Sequence, residues 1–137
     1  MIGITSKSVY GLIIILELAK NYEKKLIKID NLADAKKIPR SYLVQILNQL
    51  KHFQLIESIR GSKGGYKLID KPSKITVFQV IDKLEDGLKL FDGYEKNDAL
   101  KNIFNNAMAK LISNLDVSLS DVLIEQEKLD KKVMYFI

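Results

Sequence analysis

The sequence contains no cysteine. That absence excludes a disulfide framework, a thiolate nucleophile and a cysteine-ligated iron–sulfur cluster. Histidine is nearly as scarce, with His52 the only one in 137 residues. A multi-histidine zinc site and the Ser-His-Asp and Cys-His catalytic arrangements are therefore set aside, and His52 is expected as an exposed polar residue near the end of a helix. Long apolar runs are also missing. The stretch Leu12 to Leu16 is too short to span a bilayer, and no small-residue cleavage site follows it. A cytoplasmic, non-enzymatic chain without metal or cofactor is the expectation. Two acidic pairs, Glu85 with Asp86 and Glu125 with Glu127, read as solvated charge at helix ends rather than acid/base pairs. GSKGG at 61–65 is not a phosphate loop, because a strand rather than a Lys-Ser/Thr helix follows it.

What is present is an uneven charge. Residues 1–76 hold 14 Lys and Arg against 6 Asp and Glu, and residues 77–137 hold 8 against 11. The basic half contains the stretch that organises the chain, IPRSYLVQILNQLKHFQL from Ile38 to Leu55, followed by IESIRGSKGGYKLI to Ile69. At helical spacing Leu43, Ile46, Leu47, Leu50 and Phe53 form one apolar stripe, with Ser41, Val44, Gln45, Asn48 and His52 opposite. Pro39 suits the first helical position. The glycines of GSKGG permit a tight hairpin, with Arg60 and Lys63 at its tip and the N–H groups of Gly64 and Gly65 open to phosphate. A polar helix face able to bond base edges, followed by a basic hairpin able to reach the next groove, is a winged helix-turn-helix pattern. The competing interpretation is a structural helix and hairpin of any α+β domain.

In chain order, Thr5 or Ser6 can cap a first helix running to about Asn21, apolar on nearly every side and hence buried from two flanks. Its polar face is too thin for a membrane-surface helix. After a polar bend, Lys24 to Lys28, Asp30 can cap a short helix through Ala35, carrying Leu32 and Ala33 inward; Lys36, Lys37 and Ile38 make the turn. Pro72 ends the wing, Thr76 caps a helix closed by Gly87, and Lys89 to Lys96 is a loop. From Asn97 to Leu115 the stripe Leu100, Ile103, Phe104, Ala107, Met108, Leu111, Ile112 and Leu115 predicts a dimerisation helix, with packing inside one chain as the alternative. Ser118 with Asp121 starts a last helix, Leu119 to about Leu129. Beyond it, Tyr135, Phe136 and Ile137 make an apolar ending that must dock somewhere, on a partner or in the dimer groove. The expected fold is mainly α (α+β), with a winged helix-turn-helix at 1–86, a two-stranded wing, and linker, long dimerisation helix and tail at 87–137.

With TSKSVYGLIIILELA at the front, SYLVQILNQLKHFQLIESIRGSKGGYKL in the middle and ITVFQVIDKLE after the wing, the sequence resembles the bacterial winged-helix regulator family that includes IscR, NsrR and the cysteine-metabolism repressor CymR. The resemblance implies a dimeric repressor on inverted-repeat, double-stranded DNA. It implies DNA-binding roles for Thr5, Lys7 and Tyr10 at the front of the first helix. On the reading helix it adds Arg40, Tyr42 and Lys51 to Ser41, Val44, Gln45 and Asn48, and in the wing Gly61 and Ser62 to Arg60, Lys63, Gly64 and Gly65. Members with clusters carry three cysteines where this chain has Gly87 to Lys96, so the likeness falls to the cysteine-free branch resembling CymR. The ending YFI is similar to that branch, which acts with O-acetylserine sulfhydrylase; this implies enzyme binding through Tyr135, Phe136 and Ile137. An enzyme-holding interaction module is the alternative function. Val44 stands where the family often has Glu, and Lys37 where a glycine is frequent, at a cost of about 1 kcal/mol if the turn needs φ > 0.

Overall fold

A run of isoleucines and leucines placed between Thr5 and Asn21 forms helix α1, Ser6–Lys20, in a computed structural model that describes residues 3–89 and 96–135. Ser8, Gly11, Ile14, Ile15, Leu18 and Ala19 are buried. Helix α1 packs against the third, fourth and last helices, but Val9 and Ile13 remain 47% and 36% exposed, so it is not enclosed on every side as its composition suggests. Gly11 permits the fourth helix to close in, since a Cβ there would collide with Leu84. Thr5 occupies the N-cap position, but its hydroxyl accepts nothing from the helix; it is donated to Glu85 instead.

Helix α2, Ile29–Lys36, begins one residue before the expected Asp30 cap. Asp30 lies in the first turn, where its charge suits the positive end of the helix, and it pairs with Arg40. Leu32 is buried, and the turn follows at Lys37, which adopts φ 54° and ψ 39°. The left-handed residue that the turn needs is thus a lysine rather than a glycine. Helix α3, Arg40–His52, starts one residue later than expected, with Pro39 as N-cap at ψ 133° and its carbonyl accepting the Leu43 N–H at 2.9 Å. Leu43, Ile46, Leu47 and Leu50 are fully buried and Phe53 is packed at the edge of the core.

Strands β1, Ile56–Ile59, and β2, Gly65–Leu68, pair antiparallel from Ile56↔Leu68 to Ile59↔Gly65. Gly61 has φ 114°, and a Cβ at Gly64 would collide with the Ile59 carbonyl, so the glycine-rich loop is sterically required. Ile27, expected inside a polar bend, pairs with Tyr66 through two backbone bonds of 3.0 and 2.8 Å and extends the wing by one bridge. The second strand stops at Leu68, four residues before Pro72, which opens a 3-10 turn, Pro72–Lys74.

Thr76 caps helix α4, Val77–Leu84, in a reciprocal box with Gln79. Gly87, at φ 92°, returns its N–H to the Asp82 carbonyl at 2.8 Å and closes the helix. The expected loop Lys89 to Lys96 lies mostly outside the described residues. Asn97 then caps helix α5, Asp98–Leu115, accepting the Leu100 N–H at 3.1 Å. No residue of α5 is buried within the chain. Helix α6, Leu119–Tyr135, is capped by the Ser118 hydroxyl, which accepts the Asp121 N–H at 3.0 Å. Its first residue, Leu119, is fully buried in the common core, and its N–H meets the Ile75 carbonyl at 2.8 Å. The helix runs six residues past the expected end at Leu129, because the charged run Asp130 to Lys132 continues it, with Gln126 bonded to Asp130 at 2.9 Å one turn on. Phe136 and Ile137, which the tail expectation concerned, lie outside the described residues. Among the described residues no helix is long and apolar enough to cross a membrane.

Candidate nucleic-acid interface

Burying one stripe of α3 turns the opposite one outward. Ser41, Val44, Gln45, Asn48, Lys51 and His52 are exposed, Val44 by 39%. Their side chains are short or flexible, and together offer hydroxyl, amide and apolar contacts suited to base edges. Arg40 is exposed at the start of the helix and engaged by Asp30. Tyr42 turns sideways instead. It is half-buried, and its ring stands edge-on to Tyr10 of α1, with centroids 5.6 Å apart at 86°. This contact brings the first turns of α1 and α3 together.

The wing presents Arg60, Gly61, Ser62 and Lys63 to solvent. Gly64 does not join them: it is buried, and its N–H is donated to the Gly61 carbonyl at 3.0 Å, so it is not open to phosphate as expected. Lys28 Nζ donates to the Ser62 carbonyl at 2.8 Å and ties the hairpin tip to the start of α2. Residues 28–30 thereby bridge the wing and, through Asp30 and Arg40, the first turn of α3. Sequence reading missed both links, and only the opposite charges of Asp30 and Arg40 could have suggested one.

At the front of α1, Lys7 is half-buried and Thr5 is held by Glu85. Glu85 is 9% exposed, not the solvated charge expected of it. Its Oε2 accepts from Thr5 N–H at 2.8 Å, the Thr5 hydroxyl at 2.8 Å and the Ser8 hydroxyl at 2.6 Å. Burial alone would raise its pKa; the hydrogen bonds from Ser8 and Thr5, with the Lys7 charge, outweigh that and hold the carboxyl below its ordinary value. On α5, Leu100 and Ile103 are 43% and 58% exposed, Ala107 is exposed, and Phe104, Met108, Leu111, Ile112 and Leu115 are half-buried.

A helix-turn-helix whose second helix shows a polar face beside a basic hairpin defines a winged helix-turn-helix protein of the DNA-binding regulator class. The chain belongs to the Rrf2 family of iron-dependent transcriptional regulators, matching it over residues 4–129. It is 28% identical to the transcriptional regulator NsrR of Bacillus licheniformis over 138 residues, covering 93% of this chain and 96% of that one. It is 33% identical to the regulator CymR of Bacillus subtilis over 98 residues, 72% of this chain and 71% of that one. The solved structure of CymR, described as the global cysteine regulator of that organism, superposes with a TM-score of 0.78 at 28% identity, covering 89% and 96% of the two chains. A transcriptional regulator structure from Listeria innocua gives 0.76 at 36% identity over 88% and 85%.

The family description speaks of iron, but the donor set here does not fit a cysteine-ligated cluster. The sequence has no cysteine, and its one histidine is exposed on α3. Among the described residues no three His, Cys, Asp or Glu side chains gather as metal ligands.

Proposed function

We propose that the protein is a homodimeric repressor that binds an inverted-repeat operator with α3 in the major groove and the wing against the adjacent minor groove. The observation that carries this reading is the outward face of α3, with Val44 39% exposed among Ser41, Gln45 and Asn48. An apolar side chain with no core to join finds its partner in the thymine methyl, the apolar feature of the major groove. Residues 1–86 then carry DNA contact and 87–137 assembly, with Leu119 pinning the second part to the first. The unburied stripe of α5 supports pairing of two copies, which also supplies two reading helices for two half-sites. Exchanging the contacted thymine for uracil should weaken the wild-type protein modestly and leave Val44→Ala nearly unaffected. An equal uracil penalty in both proteins contradicts the contact.

The likeness to CymR and the lack of cysteine support a regulon of cysteine and sulfur metabolism, with O-acetylserine sulfhydrylase as the partner. In this reading Tyr135, Phe136 and Ile137 enter the enzyme's active site, which its substrate contests, so that low O-acetylserine leaves the enzyme on the repressor. Exposure of Val133 and Met134, 59% and 75%, supports an apolar surface on the last turns of α6 for a partner to cover. Titrating the sulfhydrylase with the wild-type chain and with residues 135–137 deleted tests it: binding should vanish with the deletion, and equal binding refutes it. The likeness to NsrR, which extends along 93% of the chain, favours a second reading in which the regulon is another one. Recovering the bound fragments from cells separates the two.

A further inference from the structure

Glu85 is the first residue past α4, yet its side-chain hydrogen bonds serve another helix. All three donors to its Oε2 come from the first turn of α1, 77 to 80 residues away in sequence. A second tie runs beside it, from the Gly3 N–H to the Lys89 carbonyl at 2.6 Å. Residues 3–8 are therefore laced to residues 85–89. The turn so held carries Lys7, whose charge acts on Glu85. Thr5, Ser6, Lys7, Glu85 and Asp86 share one open concavity with Tyr42 of α3. One turn later Tyr10 meets the same tyrosine. A carboxylate in this place would repel a nearby phosphate were it facing solvent. Here it is 9% exposed and turned inward onto three donors, so the solvent-facing charges at the junction are those of Lys7 and of Asp86, which is exposed at the rim.

We propose that Glu85 is a positioning residue for DNA binding: by clamping the first turn of α1 against the end of α4, it sets Lys7 on the phosphate backbone beside the first turn of α3. This rests on the assignment of the front of α1 to the DNA surface. Thr5 makes no side-chain cap bond to α1, so the side-chain ties at the start of the helix run to Glu85, beside the backbone bond of Gly3 to Lys89. Freed from Glu85, the first turn loses three bonds at once and Lys7 loses its fixed place.

The test is fluorescence anisotropy with a random-sequence DNA duplex across a potassium chloride series, which needs no knowledge of the operator. Lys7→Ala should flatten the plot of log affinity against log salt by about 0.9, the loss of one phosphate contact. Glu85→Ala should flatten it by the same amount, and the double variant should bind no worse than Lys7→Ala alone, because both remove one contact. Glu85→Gln, whose amide oxygen can still accept from Thr5 and Ser8, should recover most of the binding lost in Glu85→Ala. Should Glu85→Ala not fold, Ser8→Ala removes the shortest of the three bonds while favouring the helix. It should weaken binding severalfold, with no further loss when Lys7→Ala is added. If Lys7→Ala leaves the salt slope unchanged, the assignment of α1 to the DNA surface fails. If Lys7→Ala flattens it but Glu85→Ala binds as wild type, or the two losses add, Glu85 holds the fold only and the positioning role is refuted.

Discussion

If two copies pair through α5 as proposed, replacing Ile103 with lysine should separate them while leaving each copy folded. Ile103 is 58% exposed on a helix none of whose residues is buried in its own chain. That exposure leaves roughly 100 Å² of apolar side chain in water, which at about 25 cal/mol per Å² is worth about 2.5 kcal/mol when a partner covers it. Twofold symmetry counts the residue twice, so loss of both copies weakens the dimer by about 5 kcal/mol, a factor of several thousand in dissociation constant, before any charge repulsion is added. The effect on folding of the single chain should be far smaller, within about 0.5 kcal/mol, because an exposed position loses no core contact. Leu119→Ala makes the contrast. Leu119 is fully buried, and a cavity there should cost about 3 to 4 kcal/mol of folding stability. Sedimentation equilibrium reads assembly, and urea unfolding followed by circular dichroism reads the fold. The reasoning is refuted if Ile103→Lys stays dimeric at the wild-type concentration, or if it unfolds as readily as Leu119→Ala.

Lys37→Gly should stabilise the chain by about 0.5 to 1 kcal/mol, since relief of the left-handed backbone outweighs glycine's extra unfolded freedom; a lower urea midpoint would contradict this. In the wing, Arg60→Ala should lose sequence preference, while Lys63→Ala should weaken specific and random DNA alike and flatten the salt dependence by about 0.9. Equal losses on both DNAs for Arg60→Ala speak against its place in a narrow groove. The depressed pKa of Glu85 makes its contribution present above the unfolded carboxylate pKa of about 4.3 and lost as pH falls through the folded value. Wild type should therefore exceed Glu85→Gln in stability at neutral pH, with the gap closing below about pH 4 in urea titrations. A gap independent of pH from neutral to acid would mean that the charge plays no part.

Local patterns carried most of the fold into the sequence. Helix α3 was legible because Leu43, Ile46, Leu47 and Leu50 repeat at helical spacing, and the hairpin because Gly61 and Gly64 stand where the backbone has no room or no ordinary φ. The caps at Thr76 and Ser118 rest on bonds three residues long and were equally readable, whereas Asn97, read only as the start of a stripe, proved to be a cap of the same kind. Contacts between distant segments were not. Leu26 and Ile27 look like a short apolar pair among lysines, and the pairing of Ile27 with Tyr66 depends on where β2 lies. Glu85 looks like helix-end charge, because its donors are up to 80 residues away. Helix α6 outran its expected end at Leu129 because helical propensity and an i, i+4 pair sustain a polar stretch without apolar periodicity. At the candidate site, the outward face of α3 followed from the stripe opposite. The ties of Lys28 to Ser62 and Asp30 to Arg40, which set the wing beside that face, follow from tertiary placement alone.

Paired reading helices and wings should select a twofold DNA sequence, which is read by selecting the purified protein against a pool of random duplexes and sequencing what it retains. Enrichment of an inverted repeat is expected, with half-sites about one helical turn apart, roughly 34 to 36 Å, or a multiple of it. The enrichment should disappear with Ile103→Lys and lose a thymine preference with Val44→Ala. A pool that stays unenriched, or that yields a single unsymmetrical site bound equally well by Ile103→Lys, would contradict it.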